Sequence, residues 1–118
     1  MTDTQYTEMV SMLTQATQAR KLTWDFNEQN GEFLAKLGDC EVHISSSIDF
    51  EMQTDYIMLK LYNANGGQFD SFSGNEVMSP EQYAPLATLY EEVRNSYYKI
   101  RESEETIITE LQKLTAGH

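Results

Sequence analysis

The sequence contains few of the residues from which common catalytic and metal sites are built. Its 118 residues include one cysteine and two histidines, one of which is the terminal His118. A single cysteine excludes an intrachain disulfide and a cysteine-rich zinc site. No apolar run approaches the ~18 residues that suggest a membrane span, and the chain opens Met1-Thr2-Asp3-Thr4 without a charged and apolar leader. We therefore expect a cytoplasmic protein in a reducing environment.

Basic residues are also scarce. Eight lysines and arginines stand against 19 aspartates and glutamates, which gives a net charge of −11. Nucleic acids and anionic membranes are bound through lysine and arginine, so this composition argues against both as partners. It favours solubility and would steer a basic protein toward the chain. The apolar fraction of 40% is ordinary for one globular domain of 118 residues, so we expect a folded chain.

The C-terminal third carries the longest helical pattern. Between residues 79 and 114 the apolar positions recur at steps of three, four and seven, which places them on one side of a helix. Pro85 lacks the N–H of an interior hydrogen bond, so we expect a helical turn at 80–83 and the main helix from Pro85. Ser103, followed by two glutamates, interrupts the apolar side and can cap a new helix, which predicts a break or bend at 101–105.

The N-terminal segment predicts a shorter helix, from about residue 4 to residue 20. Thr2 and Gln5 fit a capping box, in which each residue binds the backbone N–H of the other. Tyr6, Val10 and Leu13 then follow at helical spacing.

The middle of the chain changes to a period of two, which is typical of strands. Glycine-containing turns such as Asn30-Gly31 and Asn65-Gly66-Gly67 separate the candidate strands and favour an antiparallel meander. The candidate strands cover residues 22–26, 33–37, 40–45, 56–62 and 68–72, and residues 46–55 fit either a strand or a loop. The predicted fold class is therefore α+β, with an N-terminal helix, a five-stranded antiparallel meander and a long, broken C-terminal helix packed on one sheet face.

The residues that suggest chemistry do not form a convincing catalytic group. Cys40 and His43 lie on opposite faces of a strand by alternation, so we do not expect a thiol–imidazole pair, and we interpret Cys40 as a buried structural thiol. Glu41 and His43 share a face and, with Asp25, form a weak candidate for a divalent metal, for which a solvated polar face is the alternative. We predict no catalytic residue, no cofactor and no metal site.

The second face of the predicted sheet is the main candidate for function. Tyrosine offers a large contact area and a polar tip at low entropy cost, and residues 22–78 hold ten acids against only Lys36 and Lys60. We therefore predict a protein-binding surface for a basic partner, and an ordinary solvated face with cross-strand aromatic pairs is the alternative. The predicted binding residues are Asp25, Glu41, His43, Tyr56, Met58 and Tyr62.

The C-terminal helix supports a second hypothesis. Tyr90, Tyr97, Tyr98 and Ile108 widen its apolar side beyond a single line of residues. A structural protein that forms a homodimer through paired helices would use such a surface, and burial in the chain's own core would equally account for it.

Several segments together resemble a layout found in small uncharacterised bacterial proteins. The resemblance is carried by Leu22-x-Trp24, the meander with its turn at Gly66-Gly67, Leu89-Tyr90-x-x-x-Arg94 and Ile107-x-x-x-Leu111-x-x-Leu114. It implies a fold rather than an activity. The acidity, size and helix-flanked sheet are also similar to type III secretion chaperones and to small immunity proteins. The chain differs from those chaperones in ending with about 35 residues of helix, where that family interleaves further strands.

Overall fold

The structure, a computed structural model, describes residues 1–116. Its five strands are neighbours in chain order, and every neighbouring pair is antiparallel. The elements are α1 (Asp3–Gln18), β1 (Asp25–Asn27), β2 (Glu32–Leu37), β3 (Cys40–Asp49), β4 (Thr54–Tyr62), β5 (Gln68–Asn75) and α2 (Pro80–Ala116). The predicted α+β fold with an antiparallel meander is therefore confirmed.

Helix α1 begins and ends as its local chemistry requires. Thr2 Oγ1 accepts a hydrogen bond from Gln5 N at 3.2 Å, and Thr2 N donates to Gln5 Oε1 at 3.0 Å, so the predicted capping box is present. At the other end Arg20 adopts a left-handed conformation, with φ of 57°, and Lys21 N donates back to Ala16 O at 2.9 Å. Tyr6 stacks on Phe72 of β5 with ring centroids 4.2 Å apart. Burial raises the pKa of Tyr6 to about 12, so this phenol stays protonated far above neutral pH.

A buried hydrogen-bond chain ties α1 to the segment before β1. Thr17 Oγ1 donates to Leu13 O at 2.7 Å and accepts from Trp24 Nε1 at 3.0 Å. Both side chains are almost fully buried. We expect Thr17→Val, which keeps the side-chain shape, to lower the free energy of unfolding by about 1–3 kcal/mol because the indole N–H then loses its acceptor. Urea unfolding followed by Trp24 fluorescence measures this change.

Thr14→Val is the matched control for this prediction. Thr14 Oγ1 also donates to a carbonyl one turn earlier, that of Val10 at 2.8 Å, but no buried donor depends on it. We expect the control to change stability by less than about 0.5 kcal/mol. Equal losses in the two variants would show that the Trp24 contact is not a stabilising interaction.

The inner face of the sheet forms the core with both helices. Alternate residues are buried in β4, at Ile57, Leu59 and Leu61, and in the first half of β3, at Val42 and Ile44, as a period of two predicts, whereas residues 46–48 of β3 are exposed. The buried residues pack with residues from the first half of α2 and from α1. The most deeply buried large side chains of this core are Phe33, Ile44, Leu59, Leu86, Leu89, Val10 and Val93. The predicted division of the sheet into a dry face and an open face is therefore confirmed for β4 and for the first half of β3.

Several strand boundaries differ from the prediction. Leu22 and Trp24 are buried but precede β1, which is only three residues long. The ambiguous segment 46–55 resolves into the end of β3, a turn at 50–53 and the start of β4. Strand β5 continues through residues 73–75 because pairing with β4, from Met58 to Tyr56, supplies hydrogen bonds that outweigh their polar, turn-like composition.

The interpretation of Cys40 as a buried thiol is wrong. Cys40 is exposed because it is the first residue of β3, directly after the turn at Gly38. Its cross-strand neighbour Leu37 is also 45% exposed. Alternation places Cys40 on the inner side, but the core does not reach that end of the hairpin.

Helix α2 is continuous from Pro80 to Ala116, so the predicted break at 101–105 and the separate turn at 80–83 are both wrong. Pro85 lies early in the helix, where it removes a single hydrogen bond. Ser103 Oγ donates to Lys99 O at 3.0 Å inside the helix, and Arg101 forms an ion pair with Glu105 at 3.5 Å. Ser103 and Glu105, which were expected to interrupt the helix, are therefore accommodated within it, one by a backbone carbonyl and the other by an ion pair.

Only the first half of α2 covers the sheet. Its buried residues end at Ser96, and every residue from 99 to 116 is exposed. We call residues 99–116 the arm; at 1.5 Å per residue it is about 27 Å long. The molecule is accordingly elongated, with extents of 60 × 35 × 26 Å. Within residues 1–116, neither helix has an apolar stretch long enough to cross a membrane.

Candidate protein-binding surfaces

The outer face of the sheet is the first candidate surface. Both helices contribute to the core on the inner face, so neither α1 nor α2 covers the other side of β1–β5. The strand register places Asp25, Leu34, His43 and Lys60 in one cross-strand row and pairs Glu41 with Tyr62. The six predicted binding residues thus share this face. Asp25 is exposed, whereas the other five are half-buried among their neighbours.

His43 holds the centre of the outer face together. Its Nε2 lies 2.9 Å from Glu41 Oε2, and its ring lies against that of Tyr62 with centroids 4.2 Å apart. Glu41 contacts the edge of the imidazole and Tyr62 contacts one of its faces, so both restrict the orientation of the ring. Tyr62 is therefore held in a defined position on the sheet, and Glu41 is directed toward the imidazole.

The sequence-based interpretation missed the role of Glu32. Its side chain is only 8% exposed, and its Oε2 lies 3.1 Å from Lys60 Nζ in an ion pair. The other oxygen, Oε1, lies 3.9 Å from His43 Nδ1. The predicted second strand began at Phe33. Had it begun at Glu32, alternation with the inner residues Phe33 and Ala35 would have placed Glu32 on the outer face. A buried carboxylate thus lies beneath the outer face, paired with Lys60 and close to His43.

The residues considered for a metal site do not converge. Asp25 lies two strands away from His43, with Leu34 between them in the row. Across residues 1–116, no three side chains of the histidine, cysteine, aspartate and glutamate types are arranged to hold a metal ion. Glu41 and His43 instead bind each other.

The turn between β3 and β4 adds an apolar patch beside Tyr56. Phe50 is 88% exposed, and Ile48 and Met52 on either side of it are about half exposed. An open depression lies between Phe50, Tyr56 and Ser73 of β5. The sequence shows that these residues are apolar. It does not show that they are exposed, because their exposure follows from a turn that projects beyond the core.

The arm is the second candidate surface. Its apolar side chains remain exposed although they continue the line that is buried earlier in α2. Their exposed fractions are 36% for Ile100, 61% for Ile107, 55% for Ile108, 55% for Leu111 and 68% for Leu114. Tyr90 and Tyr97, which were expected to widen this surface, instead pack against Phe33 in the core.

The two surfaces differ in chemistry: the outer sheet face combines carboxylates with tyrosines, whereas the arm presents aliphatic side chains at helical spacing. No protein-family model, curated protein sequence or solved structure matches this chain. Function is therefore inferred from the geometry and charge of these two surfaces.

Proposed function

We propose that this chain is a protein-binding module that engages a basic protein through the outer face of its sheet. The observation that carries this proposal is that both helices lie on one side of a five-stranded sheet, which leaves a face with tyrosine, methionine and carboxylate side chains uncovered. An inhibitor, immunity or adaptor protein would use a surface of this kind.

The charge of the sheet favours a basic partner. Residues 22–78 contain ten carboxylates and two lysines, and Lys60 is already paired with Glu32. Lys36 lies opposite Glu41 in the register of β2 and β3, and Asp25 adds a negative charge to the face that neither lysine balances. Such a surface attracts a positively charged protein over distances comparable to the Debye length, about 8 Å at physiological salt.

The aromatic side chains supply contact area in a fixed arrangement. Tyr62 is held by His43, and Tyr56 lies beside the exposed apolar turn around Phe50. Side chains already ordered in the free protein lose little entropy on binding, which strengthens association. Met58, between the two tyrosines on β4, can adapt its shape to a partner.

The experiment that tests this proposal compares capture of partners by the intact protein and by a Tyr56→Ala, Tyr62→Ala variant. We expect the intact protein to retain a basic protein from the lysate of its host, identified by mass spectrometry, and the variant to lose it. Tyr98→Ala is the matched control, because Tyr98 is 44% exposed but lies on α2, away from the outer sheet face. Equal capture by all three proteins would contradict the proposal.

The salt dependence of association gives an independent test with the purified partner. We expect the association rate constant to fall by about tenfold or more between 50 and 300 mM salt, since steering by the acidic sheet is screened. The dissociation rate should change much less. An association rate that is insensitive to salt would exclude electrostatic steering by this face.

A further inference from the structure

The apolar line on α2 keeps one heptad register from the core to the end of the arm. Residues at the first of the two repeating positions are Leu86, Val93, Ile100, Ile107 and Leu114. Those at the second are Tyr90, Tyr97, Glu104 and Leu111. In the first half of the helix this seam packs on the sheet, with Leu86 and Val93 fully buried. In the arm the same seam has no partner within residues 1–116, although its spacing is that of a helix–helix interface.

The arm gains no stability from packing within residues 1–116. It continues a helix that is already nucleated on the sheet, but it contains three threonines, which are weaker helix formers. Its described ion pairs, Arg101–Glu105 and Lys113–Glu110, are exposed and contribute little. Burial of the apolar seam against another helix would supply the missing stabilisation.

The distribution of charge identifies a second copy of this chain as that helix. The arm has three cations and four carboxylates, a net charge of −1, whereas residues 1–98 have five cations and fifteen carboxylates, a net charge of −10. Two arms can therefore meet without strong repulsion, whereas two bodies side by side would repel each other. An antiparallel pair of arms places the bodies at opposite ends.

Glu104 supports the same orientation. It occupies the second seam position, between Ile100 and Ile107. In a parallel dimer the two Glu104 side chains would face each other across the seam. In an antiparallel dimer each Glu104 instead faces an aliphatic residue of the other helix, because the two seam positions pair with each other.

A notch lies at the base of the arm, beside the seam residues Tyr97 and Ile100. It has a volume of about 310 Å³ and is lined by Trp24, Tyr97 and Ile100 together with the polar side chains of Thr23, Asp25, Arg101 and Glu104. When Glu104 of one copy faces Ile107 of the other, Ile100 faces Leu111 and Tyr97 faces Leu114. Leu114, which is 68% exposed in one chain, then reaches the notch of the second copy.

We propose that two copies of this chain form an antiparallel dimer in which each arm lies along the other and Leu114 of each copy fills the notch between Trp24 and Tyr97 of its mate. The interface is two-fold symmetric, so each contact occurs twice. This inference is independent of the proposed binding to the outer sheet face, of which only Asp25 lies beside the notch that the dimer fills.

Sedimentation equilibrium of the full chain tests the dimer. We expect a mass of twice the 13.6 kDa of one chain. Ile107→Glu places a second carboxylate opposite Glu104 of the other copy, and Leu111→Glu replaces an aliphatic contact with Ile100 by a charge, so each should raise the dimer dissociation constant by about 100-fold or more. Thr109→Glu, which adds the same charge on the opposite side of the arm, should leave the dimer unchanged. A monomer at concentrations up to about 100 µM, or a dimer that tolerates both seam variants, overturns the proposal.

Spin labels at the ends of the arms test the orientation. The variant Cys40→Ser, Ala116→Cys carries a single label site, because Cys40 is the only native cysteine. In the antiparallel dimer the two labels are offset by about 30 Å along the helix axis, whereas in a parallel dimer they lie within about 20 Å of each other. A short distance would overturn the antiparallel arrangement, and with it the occupancy of the notch.

Discussion

Replacing Gly74 with alanine is expected to lower the free energy of unfolding by about 3 kcal/mol or more, at or above the usual range for overpacking. Gly74 is buried in β5 under the first turn of α2. An added Cβ would lie 2.4 Å from Tyr83 N and 2.7 Å from Gln82 C. These are backbone atoms, so no side-chain rotation relieves the contact and the helix itself must move away from the sheet.

The measurement is urea unfolding of Gly74→Ala beside Gly67→Ala. An added Cβ at Gly67 would lie 3.4 Å from the Asn63 side chain, which is able to move, so we expect a loss below about 1 kcal/mol there. Gly74→Ala should also lower the melting temperature by roughly 10 °C or more. Similar losses in the two variants would mean that the start of α2 does not rest on β5.

Replacing Lys60 with methionine is expected to cost about 2–3 kcal/mol, somewhat below the usual effect of breaking a buried ion pair. The Glu32 carboxylate is 8% exposed and would lose its cation at 3.1 Å. Lys60 itself is 27% exposed, and the water around it reduces the cost. The loss therefore comes mainly from leaving Glu32 charged and desolvated.

The double variant Glu32→Leu, Lys60→Met isolates this effect. It removes both charges and replaces them with apolar side chains of similar size, so stability should return to within about 1 kcal/mol of the original protein. Urea unfolding of both single variants and the double variant completes a thermodynamic cycle. A double variant as unstable as Lys60→Met would show that the ion pair is not the origin of the loss.

The sequence predicted those parts of the fold that depend on local pattern. The capping box at Thr2 and the alternation of Ile57, Leu59 and Leu61 in β4 depend on neighbouring residues alone, and both are present. The six residues predicted for the outer face also share that face. Alternation within each strand and antiparallel pairing were sufficient for that result.

The features that the sequence did not predict depend on the relative lengths of elements that are far apart in the chain. Strand β3 has ten residues, so at about 3.3 Å per residue it spans some 33 Å. Helix α2 has 37 residues and, at 1.5 Å per residue, spans about 55 Å. A helix of that length must extend beyond the sheet, and no local pattern tells which half is covered. For the same reason, the exposure of Cys40 and Phe50 was not evident from alternation.

The sheet order, which equals the chain order, has a consequence for folding. Each of the four strand pairs closes a short loop, so the meander forms with little loss of chain entropy. The contact between α1 and α2, in contrast, joins segments about 70 residues apart in the sequence. We therefore expect the transition state for folding to contain the meander and the first half of α2, with α1 docking late.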